Sequence, residues 1–548
     1  MRLPIRLLPF ALFLACAPEG TPDGPVGGTI IIGAAADADA LVPSLVGSIP
    51  GRVASELMFE RLADLGPTLD VARDSAFEPR LAQHWAWSSD SLSITFHLDP
   101  KARWHDGQRV VAADVRTGFA VIRDTLNGSP LVANVRGIDS ISAPDEGTAV
   151  VHFSKRDAEQ FYAATQVFPL PTHLIGALAP GALRASGFAK APVGNGRYKF
   201  VAWEPRVRLE LRAFDDHYRG RARLDRVVLS ATPDPRSGLA RFWAGETDVW
   251  EPLTPPDLPE AARHEQVRVV NGPGYDYGYL AFNFRDPKDP AKPNAIFADR
   301  AVRRAITMAV DRDALRRALF DTMALASYGP FTRPQPTSDT TITQIPFDRA
   351  AATAVLDSLG WKPGADGIRR RGRTKLAFDL LVPTSSGIRM RAAVLLQEQL
   401  KQAGVELTVR SMEFGAFRAE MAAGKFDATI GGWRTTPSPS GVRGSWGSDA
   451  ISGGAGQNAG HYASADFDDA VQKGLGALNP ATRRSGLRRA YQTIVDDAPA
   501  IWLYEIRNFA GVHKRLQMPA WRSDAWWLSI PEWTVDPAQK LPRDAAPE

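Results

Sequence analysis

The residues best suited to hold a small molecule fall in one stretch, Lys425 to Gly441, which reads KFDATIGGWRTTPSPSG. Trp433 supplies a flat apolar plate, and Arg434 a planar cation with five donors. Thr435 and Thr436 add hydroxyls, and Pro437 and Pro439 stiffen the loop that follows. Before them, Phe426, Ala428 and Ile430 alternate with Asp427 and Thr429, the period of a half-buried strand. Gly431 and Gly432 are expected to stop that strand, where glycine lets a backbone turn sharply or another molecule come close. An aromatic and an arginine on a glycine-freed loop at a strand end suit solute capture. The plainer alternative puts Trp433 in a core and Arg434 on solvated surface.

Other chemistry-bearing patterns lead nowhere. His105-Asp106-Gly107 looks catalytic in isolation but sits where a turn is expected. His264-Glu265 lacks a histidine three residues on, so it is not a metalloprotease helix. The GAGQNA run ending at Ala459 fits a dinucleotide fingerprint in letters only, because no strand precedes it in a strand-turn-helix context. The 9 histidines are dispersed, which argues against a dedicated metal site. There is no Walker loop, no G-x-S-x-G, and no nucleophile paired with a base. The reading is therefore of a non-enzymatic protein without a cofactor.

The chain that must position these residues has 548 of them, too many for one core, so two or three domains are expected. Hydrophobic content of 44% and charged content of 23% are those of an ordinary globular protein. A formal charge of +4, with Lys and Arg scattered among Asp and Glu, gives no nucleic-acid surface. The start reads as a leader. Arg2 and Arg6 precede a short apolar run, Leu7 to Ala15, too short to span a bilayer. It ends at Cys16, the single cysteine, directly after a small residue. That is the pattern of a bacterial lipoprotein signal over residues 1–16, with Cys16 as the lipidated residue. Residues 17–28, rich in Pro and Gly, read as a flexible tether. With no second cysteine, no internal disulfide can form.

Along the chain, Thr29 to Gly33 is a short strand, and Arg52 to Leu62 an amphipathic helix. Leu92, Ile94, Phe96 and Leu98 alternate as a strand. Tyr275, Tyr277 and Tyr279 are expected on one strand face. Asp299 and Asp311 are placed to cap helices carrying Val302, Ile306 and Ala309, then Leu315 and Leu319, at helical spacing. The second half alternates helix and strand, whereas the first half is strand-rich, so the pattern predicts at least two α/β lobes.

Four blocks in order give the assembled pattern a specific likeness. They are Pro79 to Trp85 with His105 to Val115; Ala191 to Tyr198 with Gly245 to Val249; Ala281-Phe282-Asn283 with Arg300 to Arg312; and Gln397 to Gly404 with Phe426 to Trp433, Gln457-Asn458 and Tyr462. The chain resembles the extracellular solute-binding proteins of family 5, the oligopeptide-, dipeptide- and nickel-binding components of ABC importers. The resemblance covers roughly residues 30 to 510. It implies an α/β, two-lobed, periplasmic-binding-protein-like clamshell of type II with an extra inserted subdomain and two hinge crossings. Residues 29–50, 166–274 and 501–548 would form lobe one, 51–165 its inserted subdomain, and 275–500 lobe two. The crossings would lie near Asn271 to Tyr277 and Ala498 to Glu505.

The resemblance further implies a lipoprotein of the cell envelope, membrane-anchored through its lipid and monomeric. It would capture a peptide or other small polar solute and hand it to a membrane permease. An alternative on the same scaffold is a binding protein serving in sensing or envelope chaperoning. The implied ligand set is Trp433, Arg434, Thr435, Thr436, Tyr277, Tyr279, Asn283, Trp446 and Asn458. In peptide-binding relatives a carboxylate lies three residues after the tryptophan and pairs with the ligand's α-amine. Here that position is Thr436, and the next is Pro437. Arg434 stands where a small residue is usual, which favours an anionic or carboxylate-bearing solute. Loop stabilisation is the competing role for Asn458.

Overall fold

The computed structural model describes residues 26–451 and 457–545. Cys16, its leader and residues 17–25 of the tether lie outside them, as does part of the GAGQNA run.

An 11-stranded mixed sheet runs through the molecule. From one edge its order is Glu406–Met412, Ala377–Pro383, Ala428–Arg434, Val267–Phe282, Ala500–His513, Val249–Trp250, Thr29–Ala34, Arg226–Ala231, Arg208–Ala213 and Tyr198–Glu204. The short strand Ala324–Leu325 joins on Ala500–His513. Helix Gly387–Lys401 connects the parallel strands Ala377–Pro383 and Glu406–Met412. It buries Ala392, Ala393, Leu396 and Leu400 to do so, at helical spacing. Asp299 and Asp311 cap their helices by accepting from Ala301 N and Ala314 N.

The two central strands are long, at 16 and 14 residues. Val267–Gly272 pairs with Asn508–His513, and Asp276–Ala281 with Ala500–Ile506. Between them the register breaks, with Pro273, Gly274 and Tyr275 facing the passage around Arg507. On the partner strand the break spans Ile506 to Asn508, just past the Ala498 to Glu505 stretch expected for the second crossing. Gly274 is required at the break: a Cβ there would lie 1.9 Å from the Ile506 carbonyl oxygen. Two adjacent strands are a hinge in which twist can change without new contacts being threaded.

Lobe one closes on itself through a buried network. Arg515 donates to Asp248 (2.7 Å), to Asp544 (2.8 Å) and to the Thr29 carbonyl (2.7 Å), tying the first strand to the chain's end. A 4-stranded antiparallel sheet, Ala82–Trp87, Ser93–Leu98, Thr148–Phe153 and Ile138–Asp145, stands beside it. Ile94, Phe96 and Leu98 point to its core and Ser93, Thr95 and His97 away, as their alternation dictates. His105 is a structural pin. Its Nδ1 accepts from Gly194 N (3.1 Å) and its Nε2 donates to Gly196 O (2.9 Å), which joins the turn to the Ala191–Gly196 loop. Burial pushes its pKa down to about 4, so it stays neutral and holds one tautomer.

The strand Ala428–Arg434 corrects one expectation. Gly431 and Gly432 do not stop it; it continues to Arg434, with Gly431 opposite Tyr279 and Trp433 opposite Tyr277. The physical reason is a close approach inside the sheet. A Cβ on Gly431 would stand 2.3 Å from the Tyr279 ring, so glycine makes room for that ring instead of turning the chain.

Candidate functional site

Between the lobes lies a cavity of about 290 Å³. Lobe one supplies most of its wall, from three separate regions: Pro43–Leu65, Pro130–Phe168 and Arg522–Leu528. Lobe two supplies Arg434, Thr435, Thr436 and Pro437, and the hinge supplies Tyr275.

The lobe-one wall is built on helix Ile49–Met58, capped by Ser48, which accepts from Gly51 N. The helix starts and ends a few residues before the expected Arg52 to Leu62. It carries Arg52 and Glu56 one turn apart, and Arg61 follows it. Arg61 donates to Glu56 (2.6 Å) and stacks on the Phe168 ring at 4.5 Å. Arg52 lies 3.5 Å from the same carboxylate and over the Trp527 ring. Trp527 Nε1 also donates to Glu56, at 2.8 Å. Burial alone would raise Glu56, but Arg61 and Arg52 hold it below the usual carboxylate range. Asp64 accepts from Arg80 (2.7 Å), and Asp524 accepts twice from Arg522.

On the lobe-two side, Arg434 donates to Asp276 (2.9 Å) across paired strands. Burial raises Asp276, and Arg434 opposes that shift. Thr435 extends the strand pairing through its N–H to Tyr275 O (2.8 Å), with its hydroxyl on the same oxygen (3.0 Å) and against Thr332 (2.7 Å). Gln335 holds the loop from behind through the carbonyls of Thr436 and Ser438.

Further along, the lobes touch. Ser438 Oγ of lobe two donates to Glu159 of lobe one at 2.5 Å, and Ser440 Oγ lies 2.6 Å from Ser438 Oγ. Arg483 and Asp70 approach to 3.8 Å across the same gap. Burial lifts the Glu159 pKa to about 7, with the Ser438 hydrogen bond opposing the shift.

The expected residues separate into three groups. Arg434, Thr435 and Thr436 line the cavity. Tyr277, Tyr279, Trp446 and Trp433 belong to an aromatic cluster of lobe two with Trp502. There Trp446 Nε1 donates to the Tyr277 hydroxyl (3.0 Å) and its ring meets Trp502 at 4.9 Å. Trp433 is half-buried on the rim of that cluster, beside the Tyr279 hydroxyl, and is not part of the cavity wall. Tyr275, at the register break of the same strand, lies outside that cluster and lines the cavity instead. The third group is spent on the fold. Asn283 donates to Gly424 O and Phe426 O, and Asn458 to Trp446 O, Gly447 O and Tyr462 O. Both are buried with their amides occupied by backbone, which leaves them nothing to offer a solute.

Sequence reasoning missed Arg52, Arg61, Gln166, Tyr275 and Arg522. No local pattern marks them, since they lie in four segments that only the fold brings together. The one available signal was an arginine and a glutamate at i and i+4 on a helix otherwise apolar.

Residues 76–453 match the family model described as bacterial extracellular solute-binding proteins, family 5 middle. Among curated relatives, Protein XP55 of Streptomyces lividans is 27% identical over 519 residues, covering 92% of this chain and 90% of that one. The structure of the oligopeptide-binding protein AppA from Bacillus subtilis, in complex with a nonapeptide, matches with a TM-score of 0.76 at 22% identity. It covers 94% of this chain and 100% of that one. NikZ from Campylobacter jejuni in complex with Ni(L-His) matches with a TM-score of 0.76 at 22% identity, covering 92% and 99%.

Proposed function

The chain belongs to the bacterial extracellular solute-binding proteins of family 5, and from that premise we propose that it captures a peptide or other small polar solute between its lobes and delivers it, unaltered, to the permease of an ABC importer. The observation that carries this reading is the cavity of about 290 Å³ whose walls come from both sides of the hinge break. Closing two lobes over a solute removes water from it and strengthens each polar contact to it. Arg434, Thr435 and Thr436 are the residues of the original set that meet the solute, with Trp433, Tyr277, Tyr279 and Trp446 stiffening the strand behind them. A relative of the same fold holds a nonapeptide and another a nickel–histidine complex, which supports a scaffold adaptable in its guest.

The test is direct. Small molecules that copurify with the protein are identified by mass spectrometry and titrated back by calorimetry, with small-angle scattering read in parallel. A solute that binds and shrinks the radius of gyration supports the reading. Conversion of the solute into another compound, or binding unaffected by Arg434→Gln and Thr436→Val, sinks it.

The proposal extends to the envelope. Cys16 as a lipidated anchor keeps the receptor at the membrane surface, where its permease is. Labelled palmitate incorporation that vanishes in Cys16→Ala is the expected outcome, and incorporation that persists in that variant refutes the anchor.

A further inference from the structure

The interlobe cavity presents more hydrogen-bond donors than its own acceptors use. Each carboxylate on its wall is already met by an arginine: Glu56 by Arg61, Asp64 by Arg80, Asp524 by Arg522. Asp276, behind the wall, is met by Arg434. The donors are far from exhausted. Arg434 makes one side-chain hydrogen bond among the described residues, although a guanidinium carries five N–H groups.

Two wall residues add a sharper signal. Gln166 is 5% exposed and Tyr275 is 2% exposed. Gln166 Nε2 and the Tyr275 hydroxyl find no hydrogen-bond partner among the described residues. A native fold seldom leaves such groups unpaired, because each forfeits its hydration for nothing. Both line the cavity into which Arg434 also opens. They come from different parts of the machine: Gln166 ends the short helix Gln160–Thr165 of lobe one, and Tyr275 sits in the hinge break itself.

We propose that this cavity recognises its solute through a carboxylate, received by Arg434 together with the Gln166 amide and the Tyr275 hydroxyl, and that it has no seat for an ammonium group. The assignment rests on the cleft being the solute site, as proposed above. A carboxylate brings two oxygens able to accept several donors at once, which suits a cavity whose lining residues include an under-used guanidinium, an unpaired amide N–H and an unpaired hydroxyl. An ammonium entering the same space would meet cations already paired to every nearby acid, and a threonine at position 436. Removing it from water there has no compensating partner. The volume sits at the small end of the ~300–1,000 Å³ common for ligand pockets, so the guest is compact. Tyr275 also gives the carboxylate leverage over closure. Its carbonyl fastens Thr435 while the residue itself lines the cavity, so one hinge residue borders both the guest's space and the lobe-two wall.

The test uses the full chain and three matched dipeptide mixtures read by native mass spectrometry: free dipeptides, their N-acetylated forms, and their C-terminal amides without acidic side chains. The expected result is retention of the free and N-acetylated mixtures, with the amides at least tenfold weaker. The best retained member is then titrated into Tyr275→Phe and Gln166→Leu. Each should lose about three- to tenfold in affinity while the unliganded protein keeps its melting temperature, a split that a purely structural role for either side chain would not give. Amides held as tightly as acids, or acetylation abolishing binding, overturns the carboxylate assignment. If those ligands still depend on Arg434 and Thr436, the cleft reading survives. No retention from any mixture overturns the assignment alone, and ligands indifferent to every cleft variant overturn it together with the reading on which it rests.

Discussion

The two walls of the cleft are built differently. The lobe-one wall is a set of charges locked to one another and to aromatic rings, with Arg61 clamped between Glu56 and Phe168. The lobe-two wall is four consecutive residues at a strand end, whose single ion pair, Arg434–Asp276, is more than a third exposed on both sides, at 42% and 35%. Lobe one therefore offers a fixed surface, and lobe two a small tool carried to it by hinge motion. Side chains on the first wall serve the fold as much as the guest; Arg434 and Thr436 on the second, both exposed, can be changed with little effect on the fold.

The contrast is broken or upheld first by stability. Arg61→Ala leaves Glu56 buried with only the more distant Arg52 and Trp527 as partners, and should cost about 3 kcal/mol. Arg434→Ala should cost no more than about 1 kcal/mol, as expected for an exposed pair. Urea unfolding of the two variants decides it, and equal losses would erase the distinction between a fixed and a carried wall.

The next effect concerns how the walls meet. Glu159 on lobe one faces Ser438 and Ser440 on lobe two, with Asp157, Tyr162 and Arg483 as its charged or titratable neighbours. Burial against lobe two lifts its pKa to about 7 from an ordinary value of 4.5. Once the lobes part, water returns and the pKa falls. Closure thus takes up a proton: it is favoured below pH 4.5 and loses that advantage as pH rises through 7. Solute affinity should rise about tenfold between pH 8 and pH 6. Glu159→Gln keeps the acceptor for Ser438 and should remove this dependence. A slope unchanged in that variant would mean that another group carries the proton.

A third, smaller change tests the lobe-two wall as a replaceable tool. Thr436→Asp places a carboxylate where an entering α-amine would lie, beside the cavity and away from any core. Affinity for free-amine peptides should gain about tenfold from one charge-assisted pair, with that for N-acetylated forms falling. If both ligand classes respond alike, position 436 does not face the ligand's amino end.

The same contrast explains what the sequence made legible. The lobe-two wall is contiguous, so its chemistry could be read from Arg434 to Pro437 directly. The α/β, two-lobed class followed from the blocks of resemblance, and the caps at Asp299 and Asp311 from local spacing. The lobe-one wall was invisible because Arg52, Gln166 and Arg522 become neighbours only through tertiary folding. Asn283 and Asn458 misled for the opposite reason: an amide in a block of family likeness looks available, yet both are consumed by backbone carbonyls a hundred residues away or a few. Gly431 misled because a sequence does not say whether room is made for a turn, a ligand or, as here, the Tyr279 ring.

The smallest expected effect is at Trp433, the residue that drew most attention in the sequence. Its indole rests on the rim of the lobe-two aromatic cluster, on the strand face opposite to that of Arg434. Successive side chains on a strand point to opposite faces, so the Trp433 indole heads away from the Arg434 guanidinium. The strand does not turn there, because pairing runs on through Tyr277–Trp433 to Asp276–Arg434. Trp433→Leu keeps an apolar side chain on the rim and should lower solute affinity less than threefold, with a loss of roughly 1 kcal/mol in unfolding free energy from reduced packing. Arg434→Gln should do the reverse, moving affinity and sparing stability. If calorimetry instead found Trp433→Leu to be the more damaging to binding, the indole would have to swing across the strand end on closure, and the lobe-two wall would be a moving aromatic lid instead of a short polar tip.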